Sequence, residues 1–259
     1  MTIPALHMLR LEPVMPKVAH WGLAKGVARP GIDDGYLWHA LLKAAFGDLA
    51  PKPFRLIEPQ RGRPYLLGYH AADKLALLSH AETFAEPDAL EAIGLSSLAV
   101  KAMPTEFASG TRLGFETRVR PVVRTTRNDP IAPGREVDVF LATAKSRPDE
   151  KLDRGTIYAD WLARALAKGG AELAPRTMRL VAVRRTRLLR RGAPNAEGQR
   201  HLTQTGKKGG GPDLVIAGEL NVSDPAAFRA FLARGVGRHR AFGFGMLLLR
   251  PSGSGTGDA

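Results

Sequence analysis

The sequence predicts an α+β fold made twice over, and three observations carry that reading. Hydrophobic residues make up 44% of the 259 positions, enough to bury a core and too many for a disordered chain. Period-2 and period-3.6 segments follow one another in the order β-α-β-β-α-β. The same order then recurs, so residues 1–105 and 106–250 are expected to form two domains, followed by a disordered tail at 251–259.

Leu6 to Val14 alternates as a strand does, and a Pro/Gly-rich loop follows at 24–31. Asp33 and Asp34 stand where an N-cap belongs, since a carboxylate there accepts from N–H groups that the first helical turn leaves unpaired. The helix itself is YLWHALLKAAF, ended by Gly47. Phe54 to Ile57 and Tyr65 to Tyr69 read as strands joined by an RGRP turn. Ala71 to Phe84 is helical, and Leu98 to Met103 is extended.

In the second half, Arg112 to Arg124 reads as one long strand, and Asn128 to Pro148 as a polar, proline-containing insertion. Gly155 to Lys168 carries Ile157, Trp161, Leu162 and Leu166 on one helical stripe. Arg176 to Arg190 is a long strand before the loop GAPNAEGQ. After the KKGGGP turn come a strand at Leu214 to Val222, a helix at Pro225 to Ala233 and a last strand at Phe242 to Arg250. Two β-α-β-β-α-β units are two ferredoxin-like folds, a superfold that hosts many activities and settles none.

Composition narrows the field. With no cysteine, disulfides and thiolate metal sites are excluded. No segment approaches the roughly 20 apolar residues of a membrane span, and the N-terminus lacks the pattern of a signal peptide, so the expected location is cytoplasmic. The net charge is +13 and the pI about 10.5. Residues 1–100 are neutral, whereas residues 176–250 hold 15 Lys/Arg against 4 Asp/Glu. Such a concentration of positive charge points to a polyanion, most often nucleic acid.

Three groups of residues carry chemistry. Tyr36, His39 and Lys43 fall within an arc of about 60° at about 100° per helical residue, opposite the apolar residues, so the stripe is expected to look away from the core. In the glycine-rich loop GVGRHRAFGFG, Gly235, Gly237, Gly243 and Gly245 surround Arg238, His239 and Arg240. Glycine lets a backbone approach a ligand closely and present N–H groups to phosphate, and the arginines would add charge-assisted bonds. Arg118, Arg120 and Arg124 are evenly spaced and would share one face of a strand. Arg184, Arg185, Arg187, Arg190 and Arg191 crowd a second, and Lys207 and Lys208 sit in a glycine-rich turn. His20 is placed in a loop, and His7, His70, His80 and His201 are isolated; no pair has a zinc-ligand spacing, and no cofactor is indicated.

The pattern GxGxxxxxGxG before a terminal apolar strand resembles the signature of the RAMP superfamily, tandem ferredoxin-like RNA-binding proteins of CRISPR systems. Within it the chain resembles the CasE branch, the crRNA-processing endonucleases of type I-E Cascade complexes. The shared features are the Tyr-x-x-His of YLWHALLKAAF with a leucine three positions on, the helix DPAAFRAFLARG ahead of the loop, and RVRPVVRTTRNDP ahead of YADWLARAL. The resemblance implies a catalytic role for His39 with Tyr36 beside it. The family's catalytic lysine varies in position, and Lys43 is its candidate here. It further implies that TGKKGGGP is the family's basic loop, that the partners are a CRISPR repeat hairpin and other Cascade subunits, and that no metal is used.

RNA supplies its own nucleophile in the 2′-hydroxyl, so cleavage needs proton transfer, in-line alignment and charge stabilisation. Histidine, tyrosine and lysine provide these. The main alternative is a non-cutting RNA-binding subunit of a CRISPR complex, against which Tyr36 and His39 argue. An RRM-type reader is disfavoured by the absence of an aromatic RNP1 strand, and a DNA-binding protein by the lack of a recognition helix.

Overall fold

A computed structural model describes residues 5–127, 134–194, 200–205 and 210–253. The first half runs β1 (His7–Leu11), α1 (Met15–Ala24), α2 (Gly35–Phe46), β2 (Phe54–Ile57), β3 (Tyr65–His70), α3 (Lys74–Phe84), α4 (Pro87–Ile93) and β4 (Ala99–Ala102). Its sheet has the order β2-β3-β1-β4 with every neighbour antiparallel, which is the ferredoxin-like arrangement. Leu41, Leu42 and Phe46 of α2 are fully buried against Leu9, Leu11 and Leu66 of the sheet. Each such leucine contributes about 1.5–3 kcal/mol, so Leu41→Ala would cost about 2–5 kcal/mol.

The second half runs β5 (Arg112–Val119), β6 (Val122–Arg124), β7 (Glu136–Asp138), α5 (Val139–Ser146), α6 (Arg154–Ala167), β8 (Ala171–Leu173), β9 (Arg179–Thr186), β10 (Leu188–Pro194), β11 (Arg200–Thr205), β12 (Gly211–Val222), α7 (Pro225–Arg234) and β13 (Leu247–Pro251). The order β13-β5-β12-β8, with β9 also on β12, repeats the first topology. The fold is thus a tandem of ferredoxin-like units. They meet across a seam that is partly apolar, where Leu6 and Tyr69 join the core of the second unit, and partly polar: the Tyr69 hydroxyl donates to the Leu247 carbonyl at 2.9 Å, and Arg55 of β2 pairs with Glu116 of β5 at 2.6 Å.

Several elements differ from the sequence expectation. Helix α1 occupies part of what read as irregular chain and carries His20; it lacks a side-chain cap and buries only Val18, Trp21 and Gly22, so it leaves little periodic trace. Helix α4 begins at Pro87, with Gly94 in the left-handed conformation at its end. Within the expected insertion stand β7 and α5, whose cap is Asp138 accepting from the Phe140 N–H at 2.9 Å. The two long strands are each broken, at Arg120–Pro121 and at Arg187; proline cannot donate to a ladder. Residues 192–194 of the expected GAPNAEGQ loop belong to β10, while 195–199 lie outside the described residues, as do 254–259 of the tail. The last strand starts at Leu247, because residues 240–242 form a 3-10 turn.

Candidate active site between the two units

Helix α2 starts hard against the second unit. Asp33 accepts from the Gly35 N–H at 2.9 Å, and Asp34, the capping residue, makes no side-chain cap bond. A Cβ on Gly35 would lie 2.4 Å from the Phe242 carbonyl oxygen, so only glycine allows this approach. The Tyr36–His39 stripe consequently faces the other unit and not open solvent. Tyr36 is 7% exposed, with its ring 6.1 Å from that of Phe242. The His39 ring meets the same Phe242 edge-on at 5.4 Å and Tyr36 at 6.1 Å. A helical wheel separates polar from apolar faces but cannot show that a second domain covers the polar one. Lys43, one turn further, is exposed and pairs with Asp48 at 2.7 Å.

The glycine-rich loop is built to turn. The Val236 N–H donates to the Gly245 carbonyl at 2.8 Å, and the Gly245 N–H to the Arg118 carbonyl at 2.7 Å. These two bonds close the loop on itself and on β5, and Gly235, Gly243 and Gly245 are buried there. Gly237 is exposed, and with Arg238–Phe242 it forms the part that reaches the seam. His239 holds a left-handed backbone, with φ of 61°, and its Nε2 lies 2.6 Å from Glu136. Arg238 donates from Nε to the other Glu136 oxygen at 2.6 Å. Burial alone would raise the Glu136 carboxyl, but the hydrogen bond and charge of His239, then those of Arg238, outweigh it and hold its pKa at about 2. Arg240 donates to the Arg234 carbonyl at the end of α7 at 2.7 Å.

These elements enclose a cavity of about 840 Å³. Its wall takes Tyr36, His39 and Lys43 from α2, Lys52 from the loop before β2, Arg190 from β10, Glu136 from β7 and residues 237–242 from the loop. Five cationic side chains against one carboxylate, among the described residues, make it a place for an anion. Beside it lies a second, more apolar cavity of about 1170 Å³ that shares His39, Lys43 and Lys52.

The expected arginine stripe is not formed. Arg118 lies on the face of β5 turned toward the first unit and pairs with Asp213 at 2.6 Å and with Asp33; burial pulls its pKa down, yet the two carboxylates raise it overall. Arg120 is 4% exposed and donates to the Thr186 hydroxyl at 2.8 Å. Arg124 is exposed on β6, in a separate two-stranded ribbon with β7. Even spacing places residues on one face only while a strand continues, and β5 ends at Val119. Lys207 and Lys208 lie outside the described residues.

Sequence reasoning missed Glu136, Lys52 and Phe242, and it named Arg190 only within the basic cluster of the second strand and not beside Tyr36 and His39. Glu136 stands about a hundred residues from its partners with no local motif, and Phe242 reads as the first residue of a strand. Of the isolated histidines, His70 accepts from the Ala72 N–H at 2.8 Å, and burial followed by the nearby His7 lowers its pKa. Among the described residues no three His, Asp or Glu gather as a metal site, and no helix is long and apolar enough to cross a membrane.

Fold and site together define a tandem ferredoxin-like protein whose units share one cationic cavity. A family model described as CRISPR associated protein matches residues 6–251, and the chain belongs to that family. Among solved structures it is similar to Thermus thermophilus Cse3 bound to an RNA representing a pre-cleavage complex, at 20% identity and TM-score 0.60, covering 95% of this chain and 100% of that one. The CRISPR endoribonuclease Cse3 bound to 19 nt RNA matches with the same values. A chain of a CRISPR RNA-guided surveillance complex in a pre-nicking state matches at 17% identity and TM-score 0.52, over 95% of this chain and 99% of that one. At these identities the likeness is one of fold. No curated protein matches the chain.

Proposed function

We propose that the protein is a metal-independent endoribonuclease that binds CRISPR repeat hairpins, cleaves precursor crRNA, and remains on the product as a Cascade subunit. The observation that carries this reading is the seating of His39 and Tyr36 in the wall of a cationic cavity between two ferredoxin-like folds. The Cse3 structures of the same fold, one of them with RNA in a pre-cleavage state, support it.

In this reading the scissile phosphate sits in the cavity. The 2′-oxygen forms a bond to phosphorus as the bond to the 5′-oxygen breaks, leaving a 2′,3′-cyclic phosphate and a 5′-hydroxyl. One proton leaves the 2′-hydroxyl and one reaches the departing oxygen. His39 handles a proton near neutral pH, Tyr36 orients or deprotonates the 2′-hydroxyl, and Lys43 balances charge on the phosphoryl oxygens. Lys52 and Arg190 are added to that last role by their place in the wall. Arg238, Arg240 and Gly237 at the rim, Arg124 on its ribbon, and Lys207 and Lys208 are the proposed RNA contacts. Arg118 and Arg120 are withdrawn from that set because their guanidinium groups are engaged inside the protein.

His39→Ala tests the assignment. Cleavage of a repeat hairpin should fall by about 10²- to 10⁴-fold, the usual worth of a positioned acid or base, while affinity for the hairpin stays within about twofold. A variant that cuts at the wild-type rate would remove His39 from the mechanism.

A further inference from the structure

Arg118 stands where the two units meet around the cavity. Its guanidinium grips Asp213 of β12 with two bonds, Nε to Oδ1 at 2.9 Å and Nη2 to Oδ2 at 2.6 Å. The same Nη2 reaches Asp33, immediately ahead of the residue that caps α2. Asp33 is fixed in turn: its carboxylate accepts from the Gly35 N–H, and its own N–H donates to the Arg187 carbonyl at 2.9 Å. On the other side, the Arg118 carbonyl accepts from Gly245 at 2.7 Å, and its guanidinium lies 4.2 Å over the Phe244 ring. One residue therefore touches both the start of the helix that bears Tyr36 and His39 and the end of the loop that bears Arg238–Phe242.

We propose that Arg118 is a positioning residue, which sets α2 against the glycine-rich loop through Asp33 and Gly245 and does not itself touch RNA. A guanidinium suits this task because its planar fork fixes angles as well as distances. The units do not depend on Asp33 to stay joined, since the Arg55–Glu116 pair and the Tyr69–Leu247 bond cross the seam from β2 and β3. What the Asp33 bond adds is the placement of the first turn of α2. The kinetic consequence rests on the nuclease reading above; the geometric one does not.

Asp33→Asn tests it with the charge of Arg118 still paired by Asp213. The amide oxygen can accept from Gly35, but an NH₂ group then faces the guanidinium, donor against donor. At a temperature where both proteins are fully folded, single-turnover cleavage at saturating hairpin should fall on the order of 10- to 100-fold, as for a small misplacement of reacting groups. The Kd for a hairpin with a 2′-deoxy scissile nucleotide, and its salt dependence, should not change. An unchanged cleavage rate overturns the proposal. So does tighter binding with a steeper salt slope, because that result would mean that Asp33 had been competing with RNA phosphate for Arg118. Amide hydrogen exchange reads the geometry without reference to cleavage: peptides spanning 35–46 and 235–246 should exchange faster in Asp33→Asn, and wild-type exchange in both overturns the latch. A wild-type protein that cuts no repeat RNA would sink the nuclease reading alone, leaving exchange to decide the latch.

Discussion

Glu136 shows how one side chain organises the rim of the cavity. Its two oxygens hold Arg238 and His239, so the carboxylate fixes the direction of an exposed arginine and the orientation of an imidazole. The sign of its pH effect follows from its depressed pKa, about 2 against an ordinary 4.5. A carboxylate lowered by folding stabilises the native state above its unfolded pKa, and that contribution is lost as pH falls toward the folded one. Acidification from pH 4.5 toward 2 should therefore lower the thermal midpoint, and Glu136→Gln should lose part of that dependence. Identical acid profiles for the two proteins would show that the pair contributes nothing to folding. At this scale the sequence was partly legible. Tyr36 and His39 share a helical stripe and were found together, whereas Glu136 reaches its partners only through the fold.

At the scale of elements, the glycine-rich loop works by backbone geometry. Gly245 has φ of +80°, and a Cβ there would lie 2.2 Å from the Val236 carbonyl oxygen. Gly110 has the same φ of +80° with nothing within 4 Å of an added Cβ. Gly110→Ala should thus cost only the left-handed penalty, about 1–2 kcal/mol. Gly245→Ala should cost clearly more, about 3 kcal/mol or above, because strain and clash combine. Urea unfolding midpoints compare the two, and equal losses would contradict the closure described for this loop. The loop's location could be read from its glycines, but not its closure by the hydrogen bonds of Val236 and Gly245, which join backbone groups that no local pattern pairs. The arginine stripe misled for a related reason. Period-2 logic holds within a strand, and Pro121 stands in the break between β5, which carries Arg118, and β6, which carries Arg124.

Across the whole molecule, the charge is divided as the work is. Residues 1–100 are neutral and bring α2 with Tyr36 and His39; residues 176–250 carry a surplus of 11 positive charges and bring β9, β10 and the loop. Affinity for a polyanion grows with each phosphate neutralised, and cutting at the base of a hairpin would leave the stem contacts in place. Binding that is equally strong before and after the chemical step does not promote turnover. Under the nuclease reading the protein is therefore expected to form about one product per molecule at physiological salt and to keep it bound, and sustained multiple turnover would contradict product retention. The tandem topology was legible because each unit repeats the same order of hydrophobic periods. The seam between units was not, since Tyr69–Leu247 and Arg118–Asp33 join residues far apart in sequence.

Under the nuclease reading, cleavage at the cavity around His39 through the RNA's own 2′-hydroxyl needs no divalent ion. It is tested most directly by incubating the protein with a repeat hairpin in excess EDTA and determining the chemistry of both new ends by mass spectrometry. Cutting should be undiminished, with a 2′,3′-cyclic phosphate on one fragment and a 5′-hydroxyl on the other, and absent when the scissile nucleotide is 2′-deoxy. Cleavage that the chelator stops, that leaves a 5′-phosphate, or that persists on the deoxy substrate would contradict it.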